Sequence, residues 1–170
     1  LSQQPLREGA RISLSAEETK HATRVMRLEV GSAVLLTDGK GVEAEARIIS
    51  TEKIGAVVEV LKIREAMLRS FRLELIQATL KGPRMDWLIE KSTELGVDAI
   101  HVVDSQFTVA GDRAARWHRL AQAAVKQSGN PRLPEIHEAS KLEATSSRLP
   151  SGFQGFLLSP GAPMGLAHAI

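Results

Sequence analysis

The apolar residues of this chain change their period near residue 68, and one uniform layer of secondary structure cannot accommodate both halves. Before that point they recur every second residue. Val42-Glu43-Ala44-Glu45-Ala46-Arg47-Ile48 alternates small or apolar with charged side chains, which predicts a half-buried strand. Val34-Leu35-Leu36-Thr37 lies just upstream, across Asp38-Gly39-Lys40-Gly41. Two glycines free to take positive φ make that segment a turn, and the three pieces together a hairpin. Gly55 to Leu61 reads as a further strand. Ser15 with Glu18 three residues on is a capping box, so a helix is expected from there through His21, Val25 and Met26. Short strands and one helix within residues 1–68 predict a small β-barrel.

After residue 68 strands alternate with helices. Phe71 to Ala78 reads as a strand, and Pro83 is well placed for a first helical turn. The helix that follows puts Met85, Leu88, Ile89, Ser92 and Leu95 on one face and stops at Gly96. Ala99 to Val103 is a second strand. A long helix from about Asp112 to Gln127 buries Trp117, Leu120, Ala121, Ala124 and Val125, and Phe153 to Leu158 is a third strand. This order predicts a mostly parallel sheet with helices packed on it. The chain is therefore expected to be a two-domain α+β protein, divided into residues 1–68 and 69–170.

Composition removes several classes of function. Cysteine is absent from the 170 residues, which excludes disulfides, thiolate metal sites and cysteine nucleophiles and fits a reducing, cytoplasmic compartment. No apolar run approaches the roughly 18 residues of a membrane span, and no signal segment opens the chain. There is no P-loop, no dinucleotide-binding glycine fingerprint and no nucleophile elbow. The histidines lack metal-ligand spacing, so no metal site is expected. The Asp38–Gly41 turn reads as an ordinary turn before it reads as a phosphate cradle.

A net charge of +2 does not announce a nucleic acid, but charge is unevenly spread. Arg113, Arg116, Arg119, Lys126 and Arg132 face a single nearby acid, Asp112. The first three sit at i, i+3 and i+6 on the long helix. A phosphate-binding face and a solvated face both fit that pattern. Arg24 and Arg27 repeat it on the first helix. Lys91 and Glu94, three apart, fit a structural ion pair.

Three stretches together resemble a known family. Leu80-Lys81-Gly82-Pro83-Arg84-Met85-Asp86-Trp87-Leu88-Ile89-Glu90-Lys91-Ser92-Thr93-Glu94-Leu95-Gly96-Val97 is similar to the signature of the RsmE family, bacterial 16S ribosomal RNA methyltransferases of the SPOUT superfamily. His21 to Gly31, followed by Asp38-Gly39-Lys40-Gly41, resembles the family's N-terminal segment. Trp117, then Ala123 to Gly129, then Leu133-Pro134-Glu135-Ile136, resembles a third. The resemblance runs in order from His21 to about Pro160.

It implies a PUA-like RNA-binding barrel followed by a SPOUT domain with a trefoil knot. The implied reaction moves a methyl group from S-adenosylmethionine to N3 of a uridine in 16S ribosomal RNA of the small subunit, usually by a homodimer. RNA contacts then fall on His21, Arg24, Arg27, Lys81, Arg84, Lys91, Arg113, Arg116, Gln127 and Arg132, and cofactor contacts on Leu158, Ser159 and Pro160, at the end of a sheet strand. No catalytic base is assigned. Asn130 stands where the family has an arginine, with Arg132 nearby to supply the charge. The interval from Val103 to Trp117 is shorter than the family's. The G-P-E-G-G loop and L-R-x-E-T-A segment do not occur, and the family order places them beyond Ile170, so the SPOUT domain is expected to be truncated there. Two other readings compete: a non-catalytic RNA-binding protein with a degenerate or truncated SPOUT domain, and a small-molecule α/β enzyme.

Overall fold

The computed structural model describes residues 1–2, 4–52, 55–65, 69–104, 114–149, 151–165 and 168. Four antiparallel strands form the first sheet: β1 (Arg11–Ser13), β2 (Ala33–Thr37), β3 (Val42–Glu52) and β4 (Gly55–Glu65), in the order β1-β4-β3-β2. The expected hairpin joins β2 to β3, pairing Thr37 with Glu43 and Ala33 with Arg47. Period-two alternation along β3 and β4 buries Ala44, Ala46, Ile48, Val58 and Val60 against Ile12 and Leu36. Register shifts near Glu45/Ala46 and Ile48/Ser50 interrupt the ladder of the two long strands; such bulges bend a sheet.

Ser15 caps α1 (Ala16–Lys20) as expected, its hydroxyl accepting the Glu18 amide at 3.2 Å. The helix does not continue in α form to Met26. Residues His21–Val25 widen into a π-helical turn in which the Met26 amide reaches back to the His21 carbonyl. The Leu28 amide then bonds the Ala22 carbonyl, and Arg27 between them adopts φ 53°. Capping signals mark where a helix starts, but they do not report the number of residues per turn.

Three parallel strands form the second sheet: β5 (Glu74–Ala78), β6 (Ala99–Val103) and β7 (Glu135–Ser140), with β6 central. Helices α2 (Pro83–Glu94) and α3 (Ala114–Ser128) bring Met85, Ile89, Trp117 and Ala121 onto Ile100, Val102 and Ile136. A short α4 (Leu142–Ser146) follows β7. Among the described residues no helix is long and apolar enough to cross a membrane.

Several sequence expectations change here. The first strand of this sheet starts at Glu74 rather than Phe71. Leu95 lies on the C-cap and is 80% exposed, because the chain turns at Gly96 (φ 81°) before another helical turn can bury it. The strand at 135–140 was not expected: only Ile136 in it is buried, and a polar edge strand carries little apolar signal. Residues 153–158 are not a strand. They pair with neither sheet and are exposed throughout, Leu157 by 92%. An apolar run states a demand for burial without supplying the neighbour that satisfies it. The beginning of the long helix expected from Asp112, with Arg113, lies outside the described residues.

Candidate nucleic-acid interface

The cations expected to meet RNA fall into three groups. His21, Arg24 and Arg27 are exposed on and just after the π-helical turn. Widening that turn moves Arg24 and Arg27 away from strict α-helical spacing, and Arg27 is held in the left-handed region by the chain reversal to Leu28. An L-residue there costs of order 1 kcal/mol.

The second group surrounds α2. Lys81 and Arg84 are exposed at its N-terminal end, just past the carboxyl end of β5, where Gly82 takes φ 62° and Pro83 opens the first turn. Arg116 of α3 forms a two-pronged pair with Asp86 of α2, at 3.0 Å from Nε and 2.5 Å from Nη2. This pair ties the helices together at the surface. Lys91 is held by Glu90 and Glu94, each at 2.9 Å, and hydrogen bonds to these two carboxylates, Glu90 first, raise its pKa. The structural pair expected between Lys91 and Glu94 is present, and a second carboxylate shares it. Arg113 lies outside the described residues.

The third group lies where the two sheets meet. Gln127 is exposed near the end of α3, and Lys126 beside it reaches Glu18 of α1 at 3.5 Å. Asn130 is committed to the backbone: its amide donates to the Thr93 carbonyl at 3.0 Å, and its Oδ1 accepts the Arg132 amide at 3.1 Å. Arg132 then meets the Asp38–Gly41 turn. The Thr37 hydroxyl and the Gly41 amide both donate to the Pro131 carbonyl, at 3.1 and 3.2 Å. The Leu133 amide donates to the Gly39 carbonyl at 2.7 Å, and Lys40 and Arg132 face each other in an isolated antiparallel bridge. The turn is therefore a docking element between the sheets. Its sequence predicts the turn and not what the turn would touch.

Leu158, Ser159 and Pro160 line an open concavity of about 550 Å³ together with Phe156, Met164 and their neighbours. They do not close a sheet strand, as the sequence suggested. Among the described residues no charged side chain lines the concavity.

Sequence reasoning did not single out a polar network across the second sheet. Glu74 of β5 meets His101 of β6 at 2.7 Å and Arg72 at 2.6 Å, and Arg72 reaches Glu135 of β7 at 3.3 Å. Burial opposes the Glu74 carboxylate, but hydrogen bonds from Arg72 and His101 outweigh it and lower its pKa. The sequence carries little signal for it, because the register sets Glu74 opposite Ala99 and the Glu74–His101 contact is diagonal.

The sequence model of the family described as RNA methyltransferase PUA domain matches residues 14–61, and that of the RNA methyltransferase domain matches residues 68–162. A crystal structure of ribosomal RNA small subunit methyltransferase E from Neisseria gonorrhoeae, bound to S-adenosyl methionine, superposes with TM-score 0.79 at 30% identity, covering 87% of this chain and 63% of that one. A Legionella pneumophila methyltransferase structure with bound cofactor SAM gives TM-score 0.77 at 26% identity, over 87% of this chain and 64% of that one. Ribosomal RNA small subunit methyltransferase E of Bacillus subtilis is 27% identical over 154 residues, 84% of this chain and 60% of the relative. The chain thus spans less than two thirds of the length of these relatives.

A PUA-type sheet followed by an α/β RNA methyltransferase domain defines the class. Within that class, the chain belongs to the ribosomal RNA small subunit methyltransferase E family, RsmE.

Proposed function

We propose that this protein transfers the methyl group of S-adenosylmethionine to N3 of a uridine in the 16S ribosomal RNA of the small subunit. The observation that carries the reading is the match of both parts of the chain, in order, to RNA methyltransferase families. In this reading residues 1–68 grip the RNA and residues 69–170 belong to the SPOUT transferase domain, with its trefoil knot. The protein acts as a homodimer in the cytoplasm, where small subunits are found.

S-adenosylmethionine, when bound, supplies an electrophilic methyl group on a sulfonium. In this reading Leu158, Ser159 and Pro160, which line an open and mostly apolar concavity, are the residues that would contact it. Rate then comes largely from placing N3 in line with the methyl carbon. N3 of uridine carries a proton at neutral pH, which the site must take up or share. A cation near O2 or O4 stabilises the charge that develops, and Lys81, Arg84 and Arg132 are the candidates. His21, Arg24, Arg27, Lys91, Arg113, Arg116 and Gln127 serve as phosphate or sugar contacts. Lys91 and Arg116 make theirs against the pull of the carboxylates that hold them.

The test is incubation of the protein carrying this chain with small ribosomal subunits and methyl-labelled S-adenosylmethionine. Label at N3 of a uridine supports the reading. Absence of label from the RNA overturns it.

A further inference from the structure

The seam between the two sheets carries two cations, Lys40 and Arg132, that form no ion pair among the described residues. Lys40 is exposed and Arg132 half-buried, and the bridge between them sets them opposite one another. The nearest carboxylate in the sequence, Asp38, has its Oδ1 occupied by the Lys40 and Val42 amides at 2.7 and 3.0 Å.

The placement of Arg132 is fixed from both sides. Asn130 holds its amide, and the Gly39 and Pro131 carbonyls lock the flanking residues to the turn. Its guanidinium lies against Gly41, where a Cβ would stand 3.0 Å from Cζ and from Nη2. Gly41 also takes φ 109°, a conformation L-residues rarely adopt. A turn built only to reverse the chain has no need of bare space beneath an arginine of the loop that leads into β7. A guanidinium held in place, half-buried and without a carboxylate partner among the described residues suits an external anion.

We propose that Lys40 and Arg132 form a phosphate site at the seam, with Gly41 as the residue that positions the Arg132 guanidinium. The ligand is a backbone phosphodiester of RNA, so the proposal rests on the RNA reading above. Because one cation sits in the β2–β3 turn and the other in the loop leading into β7, one phosphate there fixes the RNA against both parts at once. Held at the seam, Arg132 serves the phosphate and leaves the uridine O2 and O4 to Lys81 and Arg84, so the contact sets register without reading sequence.

The experiment is a titration of a labelled fragment of 16S ribosomal RNA, and of an unrelated RNA of equal length, at several salt concentrations. The variants are Lys40→Ala, Arg132→Ala, Gly41→Ala and the double variant Gly41→Ala/Arg132→Ala. Each removed cation should lower the slope of log affinity against log salt by about 0.7–0.9, equally for both RNAs. Gly41→Ala keeps both charges, yet should weaken binding about as much as Arg132→Ala and add nothing to it in the double variant. Gly41→Ala can disturb the turn itself, so Arg132→Ala and Lys40→Ala, which need no change of backbone conformation, decide the matter. If both keep the parent's slope while Arg24→Ala or Arg27→Ala lowers it, the seam site is wrong and the RNA reading stands. If the parent binds neither RNA at any salt, the RNA reading falls and the seam site with it.

Discussion

The imidazole of His101 stacks on that of His137, ring centroids 4.4 Å apart and planes 6° from parallel. The register of β6 and β7 sets these residues directly opposite one another. Glu74 of β5, set opposite Ala99 by the register, reaches His101 diagonally at 2.7 Å, so a row of side-chain contacts crosses all three strands of the parallel sheet.

That row makes stability depend on acidity. The folded Glu74 carboxylate titrates below its ordinary value of 4.5, against the cost of burial, through its bonds to Arg72 and His101. A depressed carboxylate contributes stability that is complete above its unfolded pKa and is lost as pH falls through the folded one. The melting temperature of the parent should therefore fall towards that of Glu74→Gln as pH drops below 4.5. Melts from about pH 7 to about pH 3 check this. A gap between the two proteins that stays constant across the acid range contradicts it.

Ile89 is fully buried between α2 and the sheet, among Met85, Ile100 and Trp117. Ile89→Ala removes three carbons and leaves a cavity, at an expected cost of about 2–5 kcal/mol. Urea unfolding followed by tryptophan fluorescence measures it, since Trp117 lies in the same cluster.

Arg27 offers a way to separate backbone strain from RNA contact. At φ 53° glycine is the more comfortable residue, so Arg27→Gly should exceed Arg27→Ala in stability by about 1 kcal/mol. Both lose the guanidinium and should lose the same RNA affinity. Equal stability of the two variants contradicts the strain argument; equal affinity to the parent contradicts the contact.

Ser15→Ala removes the hydroxyl that accepts the Glu18 amide. Loss of an N-cap costs about 0.5–2 kcal/mol. The Ala56 amide bonds the Thr19 hydroxyl at 3.0 Å, so fraying of α1 should also expose that amide of β4. Hydrogen exchange that accelerates at Ala56 as well as in α1 is the expected result, and exchange confined to α1 opposes it.

Local order and chemistry in this protein follow from short-range signals. The hairpin around Asp38–Gly41, the Ser15 cap, the stop at Gly96 and the buried face of α3 each depend on residues within a few positions of one another, which is why the sequence alone determines them. The motifs around Lys91 and Gln127 likewise identify the family without coordinates. Tertiary structure alone decides the partners. It seats the turn against Pro131–Leu133, commits Asn130 to Thr93, gives Arg116 to Asp86, and lines up Glu74, His101 and His137 across three strands. It also leaves residues 153–158 unpaired. Each of those contacts joins positions far apart in the chain. Periodicity reports that a side chain must be buried or a charge met; only the packed arrangement of both sheets supplies the group that meets it.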